Sequence, residues 1–409
     1  MLWWVTYILA AYARAMKERG NRGTGALDGN VKREVRLVPK KTSTFHDWPY
    51  FGPQRKCFHA WIVNLTPPGP DHCIHDCVYC YARYAVYTRV KREAGGKVVR
   101  GPLEVYSNLP ELIERDLDHV RLCPPFSISN TTDPCQAVPE VRGQTRRIVE
   151  MLVRRGPSFS ITTKGDPSFL LDVDGFTAHP RKFLAVTIEG PPEVLGLLSP
   201  GAPSYDKRLE AVRMMADAKT PVIVRLDPVM LHLWGALYGD DRRARLAGVM
   251  RDFRDAGAIH VVASTGRLSR GAPSPSMFSR LQRIVEMISP AEAAKMEEDY
   301  EYSREYTSEG YLLRKPLRMD FHRLARAEAE RLGMTYATCQ ETHAWETDTP
   351  GIPHCEGVGL PFTLKGADGL FQPVKGCAAN CHVECVGKAP ACGRRTLVTT
   401  APLRISRLR

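Results

Sequence analysis

Long apolar runs are missing from this 409-residue sequence. The best candidate, the opening MLWWVTYILAAYA, is 13 residues long and meets Arg14, whereas a membrane-spanning helix needs about 20. It also lacks the basic segment that precedes the apolar core of a signal peptide. A buried or interfacial helix and a cytoplasmic location are the expectation. Internal repeats and long low-complexity tracts are absent too. Acidic residues are absent from one end: no Asp or Glu follows Glu384.

That last absence shapes the charge balance. Residues 14–41 hold nine Lys or Arg against three acids, and residues 385–409 hold six against none. Each end contributes +6, so the net +12 is fully accounted for and the stretch 42–384 is neutral. Basic ends on a neutral body suit a polyanion such as DNA or RNA; solvated ends are the plainer reading. The 12 cysteines lie in a large chain without an export signal, which points to metal or redox chemistry rather than a disulfide framework.

From residue 57 onward, short apolar runs alternate with amphipathic stretches. Candidate strands are CFHAWIVNL (57–65), PFSISN (125–130), SFSITTK (158–164), KFLAVTIE (182–189), PVIVRLD (221–227) and AIHVVAST (258–265). Helical patterns such as GQTRRIVEMLVRRG and YDKRLEAVRMMADA lie between them. Six β-then-α repeats indicate a parallel sheet covered by helices. Periodicity does not choose between an open doubly wound sheet and a barrel. In both, chemistry gathers at the C-terminal ends of the strands.

The reading divides the chain into a basic extension and linker (1–56), an α/β body (57–335) and a cysteine-rich, irregular C-terminal cap with a basic tail (336–409). The segment ERGNRGTGALDGN (18–30) has the composition of a flexible linker.

Directly after the first strand comes CIHDCVYC, with Cys73, Cys77 and Cys80 spaced C-x3-C-x2-C. Three thiolates on one tight loop can hold a 4Fe-4S cluster and leave one iron open for a ligand. Zinc would also accept them, with His72 or His75 as the fourth ligand.

This spacing, with Tyr79 directly before the last cysteine, resembles the signature of the radical S-adenosylmethionine superfamily. CVYCYAR is further similar to the branch around spore photoproduct lyase. So, in order, are TTDPCQAVPEVRGQTRRIVEMLVRRG, ITTK, LSPGAPSYDKRLEAVRMMADAKTPVIVRLDPVM and PFTLKG. The likeness runs from about residue 57 to about 377. It implies a partial (β/α)6 TIM-type barrel, a 4Fe-4S cluster on Cys73, Cys77 and Cys80, and S-adenosylmethionine cleaved reductively to a 5′-deoxyadenosyl radical. A one-electron reductant of ferredoxin or flavodoxin type is implied as partner. The positions matching those that hold the cofactor are Thr132, Lys164 and Thr187, with Asp133 facing the ribose hydroxyls.

Tyr79, Tyr81 and Tyr84 could stack on adenine or relay an electron. Tyr79 is the cofactor-binding candidate among them and Tyr81 the catalytic one. The lyase carries a hydrogen-donating cysteine three positions before the Asp of NTTD, where this chain has Asn130. Cys135 lies nearby and is the other catalytic candidate. Repair of the spore lesion itself is therefore not implied.

A second group, GCAANCHVECVGKAPACG, places Cys377, Cys381, Cys385 and Cys392 within sixteen residues, with Cys355 and Cys339 upstream. A metal staple is expected there, a second iron–sulfur cluster rather than zinc. His354 or His382 would serve the zinc alternative, and either Cys355 or Cys392 is spare. Taken together, the sequence reads as a radical S-adenosylmethionine enzyme acting on nucleic acid. The alternatives are a peptide or small metabolite as substrate, or a non-catalytic metalloprotein that binds nucleic acid.

Overall fold

The computed structural model describes residues 33–44, 61–69, 71–84, 101–269, 276–303, 310–342, 346–379, 384–385, 388–393, 406 and 408–409. The opening apolar stretch, the 18–30 linker, Cys381, the side chain of Tyr84 and most of the basic tail lie outside these residues.

Seven strands form one parallel sheet. They are β1 (Trp61–Val63), β2 (Phe126–Ile128), β3 (Phe159–Thr163), β4 (Lys182–Thr187), β5 (Val222–Leu226), β6 (His260–Ala263) and β7 (Thr335–Thr338). Their spatial order follows their sequence order without reversal. A doubly wound sheet would reverse at a switch point, so the sheet is the partial-barrel kind. All six expected strands are present in the sheet. The seventh begins at Thr335 and carries the barrel past the boundary expected there.

The helices α1 (Pro139–Arg155), α2 (Tyr205–Asp217), α3 (Arg242–Asp255) and α4 (Lys315–Arg331) lie between or after these strands. Helix α1 buries Val141, Ile148, Val149 and Leu152, which recur at helical spacing. Each such aliphatic side chain contributes about 1.5–3 kcal/mol when fully buried. Pro139 starts the helix, where its missing N–H costs nothing. Gly156 ends it in the left-handed conformation at φ 92°, its N–H reaching Leu152 O.

Register decides which residues look inward. Tyr336 donates or accepts at 2.7 Å with His322 of α4, so its face of the sheet meets the helices. Val261, Val224, Val186 and Thr163 share that register row. The alternate row, Thr187, Arg225 and Val262, therefore faces the barrel interior, with Ala185, Ile223 and His260 below it.

The C-terminal region is less irregular than its composition suggests. Strands Thr363–Lys365 and Phe371–Pro373 pair antiparallel with each other, and the first also pairs with Leu122–Cys123. The segment before them enters the barrel. His260 Nε2 lies 2.9 Å from Cys355 O, and Arg225 forms an ion pair with Glu356. Ile352, His354, Cys355 and Glu356 are all buried. Near the chain's end, Leu408 is buried and its carbonyl accepts from Arg121 N at 2.7 Å and Leu122 N at 2.9 Å. Among the described residues, no helix is long and apolar enough to cross a membrane.

Candidate cluster and cofactor site

The cysteine loop follows β1 and is pinned by its backbone. Val78 N donates to Leu198 O at 2.8 Å, and Gly201 N donates to His75 O at 3.1 Å. Ile74 N donates to Gln136 Oε1 at 2.8 Å. Thr132 Oγ1 donates to His72 O at 2.9 Å. The loop is thus fixed by segments that follow β2 and β4, at the strand ends where a ligand site belongs.

His75 Nε2 lies 3.0 Å from Asp133 Oδ2, a charge contact rather than a hydrogen bond, and Nδ1 lies 3.4 Å from Gly201 O. His72 Nε2 stands 3.7 Å from Cys80 Sγ. Of the two histidines weighed as zinc ligands, His72 is the one that reaches a loop thiol.

The three thiols lie within electrostatic reach of one another. Burial pushes Cys73 well up, and Asp133, Cys77 and Cys80 push the same way. Burial pushes Cys77 up to about 12, against the pull of Lys164. Among the described residues no three His, Cys, Asp or Glu side chains already form a metal cage. Burial thus favours the thiol form at Cys73 and Cys77, and a bound metal would take them as thiolates. Three thiols on one pinned loop, with cations beside Cys77, are a donor set that fits an iron–sulfur cluster.

Those cations form a buried group with one carboxylate. Glu189 Oε2 is 2.6 Å from Arg208 NH1, and both side chains are 0% exposed. Glu189 Oε1 accepts the Tyr79 hydroxyl. Lys164 Nζ stands 3.8 Å from the same oxygen and 5.5 Å from the Tyr79 ring centroid. Burial would raise the Glu189 carboxyl, but Arg208, Lys164 and the Tyr79 hydroxyl together hold it below the usual range. Burial would lower Lys164, yet Cys77 and Glu189 leave it raised. Two cations against one carboxylate leave one positive charge for an anion at this wall.

The remaining candidates are placed as follows. Thr187 is buried on the interior row beside Arg225. Thr132 is engaged twice, donating to His72 O and accepting from Gln136 Nε2 at 3.3 Å. Asp133 is spoken for internally: Oδ1 accepts from Thr163 Oγ1 at 2.6 Å and Cys135 N at 2.9 Å, and Oδ2 from Lys164 N at 2.6 Å. Burial would raise the Asp133 carboxyl, but His75 and these donors hold it well below the usual range.

Tyr81 is 55% exposed and donates to Asn130 O at 2.8 Å, which puts it at the mouth. Cys135 is fully buried and packs against Gly165, where an added Cβ would sit 2.1 Å from Cys135 O. It also lines a cleft of about 240 Å³ with His75, Arg142 and Asp166.

The second cysteine group divides. Cys355 is inside the barrel, and Cys339 lies 3.6 Å from Arg225 NH2. Cys377, Cys385 and Cys392 are partly exposed, and Cys392 packs against the hydrophobic core.

Sequence reasoning passed over Glu189, Arg208 and Gln136. Two of these left a signal. Glu189 is an acid at the end of an apolar strand, and Arg208 falls on the buried stripe of α2 with Tyr205, Ala211, Val212 and Met215. A charge on a buried stripe requires a partner.

No family model matches the chain. A radical SAM Nalpha-GlyT isomerase of Pseudomonas phage M6 is 27% identical over 375 residues, covering 86% of this chain and 72% of that protein. Among solved structures, a spore photoproduct lyase variant with bound AdoMet and dinucleoside spore photoproduct superposes with a TM-score of 0.52. It is 15% identical and the match covers 80% of this chain and 94% of that one. A cysteine-to-serine variant of the same lyase gives a TM-score of 0.51 at 16% identity, covering 74% and 82%. These two likenesses are of fold.

Proposed function

We propose that the chain is a radical S-adenosylmethionine enzyme on the fold of spore photoproduct lyase, and that its substrate is a nucleic acid, rearranged rather than cleaved. The observation that carries the reading is the pinned Cys73–Cys77–Cys80 loop beside a buried group with one surplus positive charge. When bound, the cluster and S-adenosylmethionine supply an adenosyl-based radical that can remove and return a hydrogen atom.

The chain's own residues then have distinct tasks. Cys73, Cys77 and Cys80 would hold the cluster. Lys164 would meet the cofactor carboxylate with a charge-assisted hydrogen bond. Thr187, on the interior row, would meet its polar atoms; Thr132 and Asp133 serve the site by holding the loop and the β3 end in place. Burial of the whole group keeps water from the reacting atoms.

Substrate class rests on three supports. Both ends of the chain are basic while the body is neutral. Leu408, at the end of the basic tail, is buried and its carbonyl accepts from Arg121 N and Leu122 N. The lyase of like fold was solved with a dinucleoside lesion. Reaction type rests on the phage relative, described as an isomerase, and on Asn130 and Cys135. Asn130 has no thiol to offer, and Cys135 is fully buried. A rearrangement in which the cofactor returns the hydrogen it removed needs no donor from the protein.

A ferredoxin- or flavodoxin-type protein would supply the electron. We place a second iron–sulfur cluster on Cys377, Cys381, Cys385 and Cys392, leaving Cys355 as the spare cysteine because it is inside the barrel.

The test is anaerobic turnover with DNA, tRNA and peptide pools, using cofactor deuterated at the 5′ carbon. A nucleoside product of unchanged backbone mass, altered retention and incorporated deuterium is expected. Conversion of peptides with no change in nucleic acid would overturn the substrate class.

A further inference from the structure

Glu189 gives its two oxygens to different partners. Oε2 takes Arg208 NH1 at 2.6 Å. Oε1 takes the Tyr79 hydroxyl, and Lys164 Nζ stops 3.8 Å short of that same atom. Among the described residues Lys164 makes no hydrogen bond through Nζ, although an ammonium carries three donors. A lysine facing an uncontested buried carboxylate oxygen would close to about 2.8 Å. Here the phenol stands in the way, and its ring lies 5.5 Å from Nζ.

We propose that Tyr79 is a positioning residue: by occupying Glu189 Oε1 it denies that oxygen to Lys164 and keeps the ammonium available for the carboxylate of S-adenosylmethionine. The inference rests on the cofactor reading above and gives the loop tyrosine a role other than stacking or electron relay. Its position explains why the role falls to this residue. Tyr79 directly precedes Cys80, so the contact exists only when the cysteine loop is correctly seated. Cofactor capture by Lys164 is thereby tied to the loop that holds the cluster. Arg208, fully buried on the opposite oxygen, keeps Glu189 ionised and fixed throughout.

Tyr79→Phe tests this directly, because it keeps the ring under Lys164 and removes only the hydroxyl. In reconstituted enzyme, the dissociation constant for S-adenosylmethionine should rise about tenfold, the size expected for a contest over one charge-assisted hydrogen bond. Iron content and far-ultraviolet circular dichroism should stay unchanged. At saturating cofactor, the shift in the reduced cluster's electron paramagnetic resonance signal should persist. In a Lys164→Ala background, Tyr79→Phe should add nothing, since the effect runs through the ammonium.

An unchanged dissociation constant in Tyr79→Phe would overturn the proposal. So would an equal rise in the Lys164→Ala background, which would mean that the phenol touches the cofactor itself. If Lys164→Ala alone left the affinity unchanged, the cofactor reading of Lys164 would fail, and the role of Tyr79 with it.

Discussion

Arg225 of β5 is ion-paired with Glu356, a residue of the C-terminal region 131 positions further on. Arg225 lies on the barrel's interior row, beside Thr187. A region whose composition reads as an outer cap therefore supplies part of the barrel's filling. Asp227 Oδ2, 2.5 Å from Arg225 NH2, is the second carboxylate on that guanidinium.

This pairing should matter for stability. Glu356→Ala removes one carboxylate from a buried guanidinium and should lower stability by about 3–5 kcal/mol. Chemical denaturation of the reconstituted protein measures it. A decrease below about 0.5 kcal/mol would mean that Asp227 alone satisfies Arg225.

The cysteine loop should be indispensable for chemistry and dispensable for the fold. Cys77→Ala should make no 5′-deoxyadenosine after anaerobic reduction, while its circular dichroism matches the parent. Production at the parent's rate would remove Cys77 from the cluster.

Cys377, Cys381, Cys385 and Cys392 should add metal to that of the loop. One 4Fe-4S cluster takes four iron atoms, so full reconstitution should give more than about four per chain. Iron near four together with one zinc would make the C-terminal site a zinc staple. Iron near four without zinc would mean that this group holds no metal.

Acid sensitivity should come partly from His179. Burial lowers its imidazole from the usual value to about 4, and nearby Arg181 pushes the same way. Because the folded value lies below the unfolded one, the unfolded chain takes up the proton first as pH falls. The contribution is complete above pH of about 6.5 and is lost from there down to about 4, at roughly 1 kcal/mol per pH unit. Urea midpoints of His179→Gln and parent at pH 7.5, 6.5 and 5.5 should diverge in slope, with the variant flatter. Parallel slopes would remove His179 as the cause.

The basic tail should bind phosphates, and its test must spare Leu408, which is buried and bonded to Arg121 N and Leu122 N. Replacing Arg394, Arg395, Arg404 and Arg407 with Ser should weaken binding to DNA and RNA. The log–log salt slope should flatten by about 0.7–0.9 for each phosphate no longer neutralised. Unchanged affinity and slope would leave these arginines as solvated surface.

Much of the barrel was legible because its signals are local. Ile161, Leu184 and Val224 sit in short apolar runs, and the amphipathic stretches between them form helices whose buried stripes match the spacing. The C-x3-C-x2-C loop was legible for the same reason: three ligands close in sequence must be close in space. Thr335–Thr338 was not legible as a seventh strand, since TYAT is short, and its place beside β6 depends on a partner 75 residues away.

By itself, then, the sequence determined the repeat of strand and helix, the cysteine loop after the first strand, and the basic ends. Each is written in neighbouring residues, where periodicity and spacing act. Only tertiary structure decided that the strands run in unreversed order, that Cys355 and Glu356 lie inside the barrel, and that Asp133 is consumed by His75, Thr163 and Lys164. It alone brought Tyr79, Lys164, Glu189 and Arg208 together. Those four come from the cysteine loop, the ends of two strands and a helix, and no local pattern records a contact that exists only once the sheet has closed around it.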